Sequence, residues 1–388
     1  MEITELLSII ANGEDSRHQF KADFRNVDAV AAEMVAFSNS QGGWLIIGVS
    51  DDGAISGLSA TDMARLNQLI SNAASQSVRP PINPITENIA MPDGMVVVVR
   101  LDQGISKPYM DNQGFIWVKS GADKRKVTAR EEMQRMYQAA ALVHADEIPV
   151  QGTSAGDVDN EFFESFFEKF VGEPLAVQTL SLAKLMENMN LMRANQLNVC
   201  GTLLFAKKPQ FRLPIFVVKA VAFPGQNIAD TNYLDSQDID GKMSDVFQKS
   251  LAFVLSNLHY QQNEQGVNSL GEPEIPRIVF EELIANALIH RDYFVSAPVK
   301  ILVFSDRVEI ISPGHLPNNL TIENIKLGNS NVRNPIIASF APRILPYRGL
   351  GSGILRATQA YSDIDFIDDR EGNTFKAVIR RKIPVRLN

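Results

Sequence analysis

The sequence predicts an α+β protein built from two mixed α/β domains, and three observations carry that expectation. Helical and strand periodicities alternate through both halves of the chain. Between the halves lies a small, polar stretch, Ile148-Pro149-Val150-Gln151-Gly152-Thr153-Ser154-Ala155-Gly156, that reads as a linker. The 388 residues suffice for two domains of ordinary size, each with a sizeable core. The expected division is residues 1–147, a linker at 148–158, and residues 159–388.

The first half reads in order as follows. Residues 1–11 form a short amphipathic helix through Leu6, Leu7 and Ile10, stopped by Asn12-Gly13. Residues 14–21 are extended. Asp28 is the candidate N-cap of a helix through Phe37, with Ala31, Met34, Val35 and Phe37 facing inward and Gln41-Gly42-Gly43 ending it. The apolar run 44–49 reads as a buried strand and Asp51-Asp52-Gly53 as a turn. A helix over 61–77 is closed by Pro80, Pro81 and Pro84. Residues 95–101 and 114–119 read as strands, and Thr128-Ala129-Arg130-Glu131 as a capping box that opens a helix to Gln138.

In the second half, a helix carries Phe162, Phe163, Phe166, Phe167 and Phe170 as a core stripe, followed by a helix at 182–189. Residues 199–206 and 214–221 read as buried strands and 242–257 as a long helix. Residues 281–293 form a helix whose Leu283, Ile284, Ala287 and Leu288 cluster on one face. Glu282, Asn286 and His290 stack on it at i, i+4 and i+8, away from that face. Asn is a poor helix former, so its place there calls for a task. A carboxylate one turn before a carboxamide suits a water-activating base beside a magnesium ligand; the competing reading is a solvated face. Residues 299–304 and 307–312 form a hairpin through Ser305-Asp306, and 374–381 a closing strand.

Composition narrows the function classes. The net charge is −8, and residues 1–147 alone balance to about −6 by formal counting. Nucleic-acid binding by bulk charge would lean the other way, so any such binding must rest on local patches. The single Cys200 excludes an internal disulfide framework and a cysteine-rich zinc site, and the five histidines show no metal spacing. Glu2 and Glu5 stand where a signal peptide needs basic residues, and no apolar run reaches membrane length, so a cytoplasmic protein is expected. No P-loop is present, which argues against a helicase motor.

Several sequence words resemble known families. Glu14-x-x-x-x-Gln19-Phe20-Lys21, Ala36-Phe37-Ser38-Asn39-Ser40-Gln41-Gly42-Gly43 with Ile47-Gly48-Val49, Lys107-Pro108-Tyr109 and Trp117-Val118-Lys119-Ser120-Gly121 resemble the Schlafen-AlbA nucleic-acid-binding domain. The helix Glu282-x-x-x-Asn286-Ala287-x-x-His290-Arg291-Asp292 resembles the N-box of the GHKL ATPases, the Bergerat fold shared by gyrase B, Hsp90, histidine kinases and MutL. Residues 308–317, with Ser312 and Gly314, resemble their first glycine box. Arg348-Gly349-Leu350-Gly351-Ser352-Gly353-Ile354 resembles the second, and Leu203 to Gln210 an opening signature of the GHKL domain that follows Schlafen-AlbA domains in bacteria.

The resemblance implies an N-terminal Schlafen-AlbA domain followed by a GHKL α/β sandwich. It implies ATP and Mg2+ as ligands, with Glu282 preparing the water, Asn286 holding magnesium, Ser312 and Gly314 at the adenine, and Gly349, Gly351, Ser352 and Gly353 at the phosphates. Two positions depart from the pattern: Ser312 replaces the usual adenine-binding Asp, and Arg348 stands where relatives tend to be acidic. Arg348 could reach a phosphate or join a surface salt bridge. Many relatives carry a winged helix after the ATPase domain; this chain reaches Asn388 a few residues past the closing strand, so none is expected.

For nucleic acid, whether DNA or RNA, Lys119, Lys124, Arg125, Lys126 and Arg130 form a run after a strand and before a helix, and Arg17, Lys21 and Arg25 a sparser group. With no aromatic inside the run, phosphate contact rather than base stacking is expected. The leading expectation is a weak ATPase acting as a nucleic-acid-binding transcriptional regulator or defence component, as a homodimer because GHKL domains commonly pair on ATP. Two alternatives stand beside it. One is a Schlafen-like metal-dependent nuclease using Glu14 with Asp51 or Asp52, weakened by Gln19 where a second acid is needed. The other is an assembly protein with a degenerate nucleotide site.

Overall fold

A computed structural model describes residues 1–140, 142–261, 271–317 and 320–381. The chain divides into two units, Met1–Val143 and His144–Asn388.

In the first unit, a four-stranded sheet runs in the order His18–Lys21, Gly43–Ile47, Gly94–Leu101, Ile85–Met91. The first pair is parallel and the others antiparallel. Both faces are covered, which is why its central strands read as unbroken apolar runs. Leu45, Ile47, Val97 and Val99 meet the Val27–Asn39 helix through Val30, Met34 and Phe37. Ile46, Val96 and Val98 turn the other way, onto Phe20 and onto Leu6 of the Ile3–Asn12 helix.

Local chemistry sets the ends of these elements. Asn26, not Asp28, caps the Val27–Asn39 helix, accepting from the Asp28 amide at 2.8 Å. A cap of this kind contributes about 1 kcal/mol. Gly43 is obligatory, since a Cβ there would lie 2.3 Å from the Arg17 carbonyl oxygen. Asn39 ends the helix buried. Its Nδ2 donates to the carbonyls of Tyr109 and Trp117, both at 2.9 Å, and its Oδ1 accepts from the Tyr109 amide at 2.7 Å. It therefore ties distant backbone rather than its own turn.

Three details differ from the sequence reading. The helix expected over 61–77 is Ala60–Asn72 followed by a wider π turn, Ala73–Ser77. The Arg130–Ala139 helix starts after Ala129 with no side-chain cap, so Thr128 forms no capping box. The basic run is itself a strand: Asp123–Lys126 pairs antiparallel with Trp117–Ser120 as a hairpin.

The second unit is built on a six-stranded sheet, in the order Asp235–Ile239, Val218–Ala222, Val299–Val303, Arg307–Pro313, Thr374–Arg380, Ile364–Asp369. Only the Val218–Ala222 and Val299–Val303 pair is parallel. One face, with Ala220, Ile301, Val308, Ile310 and Ala377, packs on a helical layer that includes Met243–Ser256 and Arg277–His290, a two-layer α/β sandwich. Val221, Leu302 and Ile311 face the other way, beside Phe223 and Phe304. Of the five phenylalanines expected as a core stripe on the Asn160–Val171 helix, Phe163, Phe166 and Phe167 are buried and Phe162 is partly buried, whereas Phe170, in the last turn, is 40% exposed.

Residues 199–206 were expected as a strand. They form the helix Val199–Phe205, opened by Asn198, whose side chain accepts from the Gly201 amide at 2.7 Å. Every residue of that helix is buried, so its sequence has no polar face to reveal a helical period. The expected linker packs into the second unit. Val150 and Val158 are buried, bridges join Pro149 to Asn198 and Val158 to Ala206, and Ala155–Asp157 makes a 3-10 turn. No helix among the described residues is long and apolar enough to cross a membrane.

Candidate functional site

The Arg277–His290 helix is buried around nearly its whole girth, through Val279, Phe280, Leu283, Ile284, Ala285, Ala287, Leu288 and Ile289. Its polar stripe is therefore no solvated face: Glu282 is only 3% exposed, and Asn286 and His290 are partly buried. The stripe lines a cleft of about 970 Å³, including its open mouth, whose walls also contain Ser312, Gly314, Tyr347 and residues 348–353. That is the size range of a small-molecule site.

Strand alternation places Ser312. In Arg307–Pro313, Val308 and Ile310 point to the helices, and Ser312 continues that row under the Arg277–His290 helix. Its hydroxyl donates to the Ala287 carbonyl at 3.1 Å, which leaves its lone pairs to accept. Gly314 follows with φ +98°; a Cβ there would lie 2.1 Å from Arg333 Nη1 and 2.6 Å from the Asp292 Cβ. Arg333 in turn donates from Nη2 to the His315 carbonyl at 2.7 Å.

The second glycine box folds back on itself for equally local reasons. Gly349 and Gly351 both have φ +70°, and a Cβ on Gly351 would meet the Gly328 carbonyl oxygen at 2.2 Å. The Gly353–Ala360 helix starts at the cleft wall, so its first N–H groups have no intrahelical partner there. Gly353 lies against the polar stripe: a Cβ would come within 2.7 Å of Glu282 Oε2 and 3.0 Å of Asn286 Nδ2. The side chain of Asn286 has no hydrogen-bond partner among the described residues. Arg348 is exposed at the mouth, and among the described residues it forms no salt bridge.

Burial keeps two rings of the cleft neutral. Burial, with a smaller push from Arg333, lowers the His290 imidazole to about 4, and its Nε2 lies 3.2 Å from the Tyr347 hydroxyl. Burial raises the Tyr347 phenol, with Glu282 adding to it. Glu282 is held by a residue that the sequence reading passed over. Arg356 Nε and Nη2 lie 2.7 and 2.5 Å from its Oε1, while Arg356 Nη1 donates to Ser352 Oγ at 3.0 Å. The i, i+4 spacing of Ser352 and Arg356 was the available signal.

The basic groups of the first unit are mostly engaged. Lys124 pairs with the buried Glu33 at 2.6 Å, and Arg125 grips Glu132 through two bonds of 2.9 and 2.7 Å. Lys119 donates to Gln19 Oε1 at 2.6 Å and to the Ala122 carbonyl, and half-burial lowers its ammonium. Lys126 sits 3.5 Å over the Phe115 ring and 5.0 Å over Trp117. The hairpin thus brings aromatics to the lysines from across the strand pair, which the run alone does not show. Lys126 and Arg130 have no acidic partner among the described residues. Arg17 donates to Gln41 at 3.2 Å, and Arg25 lies 3.4 Å from Asp23.

The acids of the nuclease alternative, Glu14, Asp51 and Asp52, are each engaged by other groups of the chain. Glu14 Oε1 accepts from the Phe20 amide at 2.7 Å and from Gln19 Nε2. Lys21 Nζ stands 3.1 Å from Asp51 and 4.0 Å from Glu14, putting a cation of the chain itself between them. Asp52 accepts from Ser50 Oγ and the Ala54 amide, and the Ser50 bond, more than the Ala54 one, lowers its carboxyl: it is a turn residue. Among the described residues no group of three His, Cys, Asp or Glu side chains could hold a metal.

Two family models match segments of the chain. Residues 14–128 match the family described as "Schlafen, AlbA_2", and residues 296–375 the family described as "Putative ATP-dependent DNA helicase recG C-terminal". The second match begins after the Arg277–His290 helix, so the reading of Glu282 and Asn286 stands on their geometry. No curated protein matches the chain. Among solved structures, the DIP2311 protein from Corynebacterium diphtheriae is 21% identical, covering 99% of this chain and 80% of its own, with a TM-score of 0.46. The N-terminal domain of a RecG-related protein from Nitrosomonas europaea is 21% identical, covering 34% of this chain and 96% of its own, with a TM-score of 0.26. The chain joins an N-terminal Schlafen AlbA_2 domain to a C-terminal HATPase domain of the RecG-related family.

Proposed function

We propose that the second unit binds Mg-ATP in the cleft and hydrolyses it slowly, and that the first unit binds nucleic acid through local contacts. Together they would act as a nucleotide-responsive regulator or defence component, paired as a homodimer. The observation that carries the nucleotide reading is the meeting of Glu282, Asn286 and Gly353: a buried carboxylate, a carboxamide without a protein partner among the described residues, and a glycine whose missing side chain leaves both their room.

Each group has a task that its chemistry suits. Ser312, its proton committed to Ala287, accepts from a donor such as the adenine amino group. The first N–H groups of the Gly353–Ala360 helix and Arg348 favour phosphate. Asn286 supplies one oxygen ligand to magnesium, which when bound neutralises phosphate charge. Glu282 takes the proton of the attacking water. His290, neutral at pH 7, adds no charge to the cleft.

The test separates binding from turnover. Asn286→Ala should lose affinity for Mg-ATP in calorimetry. Glu282→Ala should bind yet release phosphate about 10²–10⁴-fold more slowly, the usual worth of a positioned general base. If both variants match wild type in heat and in phosphate release, the stripe has no part in nucleotide chemistry.

A further inference from the structure

Arg356 occupies a position between two parts of the proposed site. Its guanidinium makes two contacts to one oxygen of Glu282, and its third nitrogen reaches Ser352 in the second glycine box. The Glu282 side chain is 4% exposed and that of Arg356 25%, so the pair is closed on the carboxylate side and open on the cleft side. No other cation is paired with Glu282, and no other acid with Arg356, among the described residues. Each is therefore the other's sole charge partner there.

We infer that Arg356 is a latch on this site: it holds Glu282 while the cleft lacks phosphate, and moves to the terminal phosphate of a nucleoside triphosphate, freeing the carboxylate. The inference rests on the nucleotide reading and adds its regulation. A planar guanidinium fork suits phosphate oxygens as well as it suits a carboxylate, so Arg356 keeps its hydrogen-bonding capacity in the exchange, while the buried Glu282 gives up its charge partner and becomes a stronger base. Ser352 already holds Nη1 beside the helix N-terminus, so a short swing about that anchor suffices. With Arg356 in place, the charge of Glu282 is matched and one of its oxygens is occupied. After the exchange, water adds to the terminal phosphorus and the bond from that phosphorus to the bridging oxygen breaks. The water proton passes to Glu282 and leaves with the diphosphate and phosphate products.

The latch sets two partners in competition for one cation, and that competition can be measured without turnover. Calorimetry with Mg-ATP and Mg-ADP would be run on full-length wild type, Glu282→Gln, Arg356→Ala and the double variant. Glu282→Gln removes the competing charge, so it should bind Mg-ATP about tenfold tighter, the scale of one charged hydrogen bond, with Mg-ADP unchanged. Arg356→Ala should lose any preference for Mg-ATP over Mg-ADP, and the double variant should lose the gain. If Glu282→Gln binds Mg-ATP no tighter, or the gain survives in the double variant, the ion pair is only structural. Should Arg356→Ala fail to fold, Glu282→Gln decides alone, because it keeps the shape and an accepting oxygen. If wild type binds neither nucleotide, the nucleotide reading itself falls and the latch with it.

Discussion

Gly353→Ala adds one methyl group at the most crowded point of the cleft. Its Cβ would stand 2.7 Å from Glu282 Oε2 and 3.0 Å from Asn286 Nδ2, where ordinary contact needs 3.4 Å or more. The carboxylate must retreat by roughly 0.7 Å, and a misplacement on the order of 1 Å at a reacting group costs about 10²-fold in rate. Gly353 is the first residue of the Gly353–Ala360 helix, where alanine has the better helix propensity, by up to about 1 kcal/mol. The substitution should thus leave thermal stability near wild type while phosphate release falls about 10²-fold. Thermal melting and a phosphate-release assay on the same preparation check both halves. Wild-type turnover in a folded Gly353→Ala protein would refute the assignment of this corner as the reacting centre.

Other outcomes follow from the same geometry. Asp146 is fully buried at the start of the Pro335–Ile344 helix, where its Oδ2 accepts from the amides of Ile336 and Ile337 and its Oδ1 has no partner. Burial raises its carboxyl to about 6 against the two amides that lower it, so the charged form costs stability that is absent below about pH 4 and complete above about pH 6. Asp146→Asn should therefore stabilise the protein above pH 6, by up to about 3 kcal/mol, and lose that gain toward pH 4 in urea melts. Lys126→Ala with Arg130→Ala should lower the salt slope of nucleic-acid binding by about two ion units in a fluorescence titration. Lys124→Ala should instead destabilise the first unit by about 1–3 kcal/mol, since the buried Glu33 loses its direct ion pair and keeps only the nearby charge of Lys119. Wild type and Glu14→Ala should show the same rate of RNA or DNA cleavage with magnesium or manganese, because Lys21 fills the space between Glu14 and Asp51.

What the sequence revealed depended on whether a segment had two kinds of face. The Asn160–Val171 and Met243–Ser256 helices were legible because apolar residues recur on one side. Val199–Phe205 was misread because all its residues are buried, so a helix and a strand look alike there. Ile85–Met91 escaped because, as an edge strand, it buries only Ile89 and Met91 and exposes Thr86, Glu87 and Asn88. The polar stripe of Glu282, Asn286 and His290 was visible from spacing, but its burial was not, since that comes from the Gly353–Ala360 helix packed across it. Partners far apart in sequence stayed hidden for the same reason, Arg356 with Glu282 and Lys124 with Glu33, and Lys126 met Phe115 only through a hairpin the basic run did not announce.

The central claim is that nucleotide enters the cleft between the polar stripe and the two glycine boxes, and hydrogen exchange on the full chain locates it directly. With Mg-ATP, amide protection should rise in peptides covering residues 312–316 and 347–356, which line the cleft, and Asn286→Ala should abolish the rise. Protection confined to other segments, or none at millimolar Mg-ATP, would contradict the account.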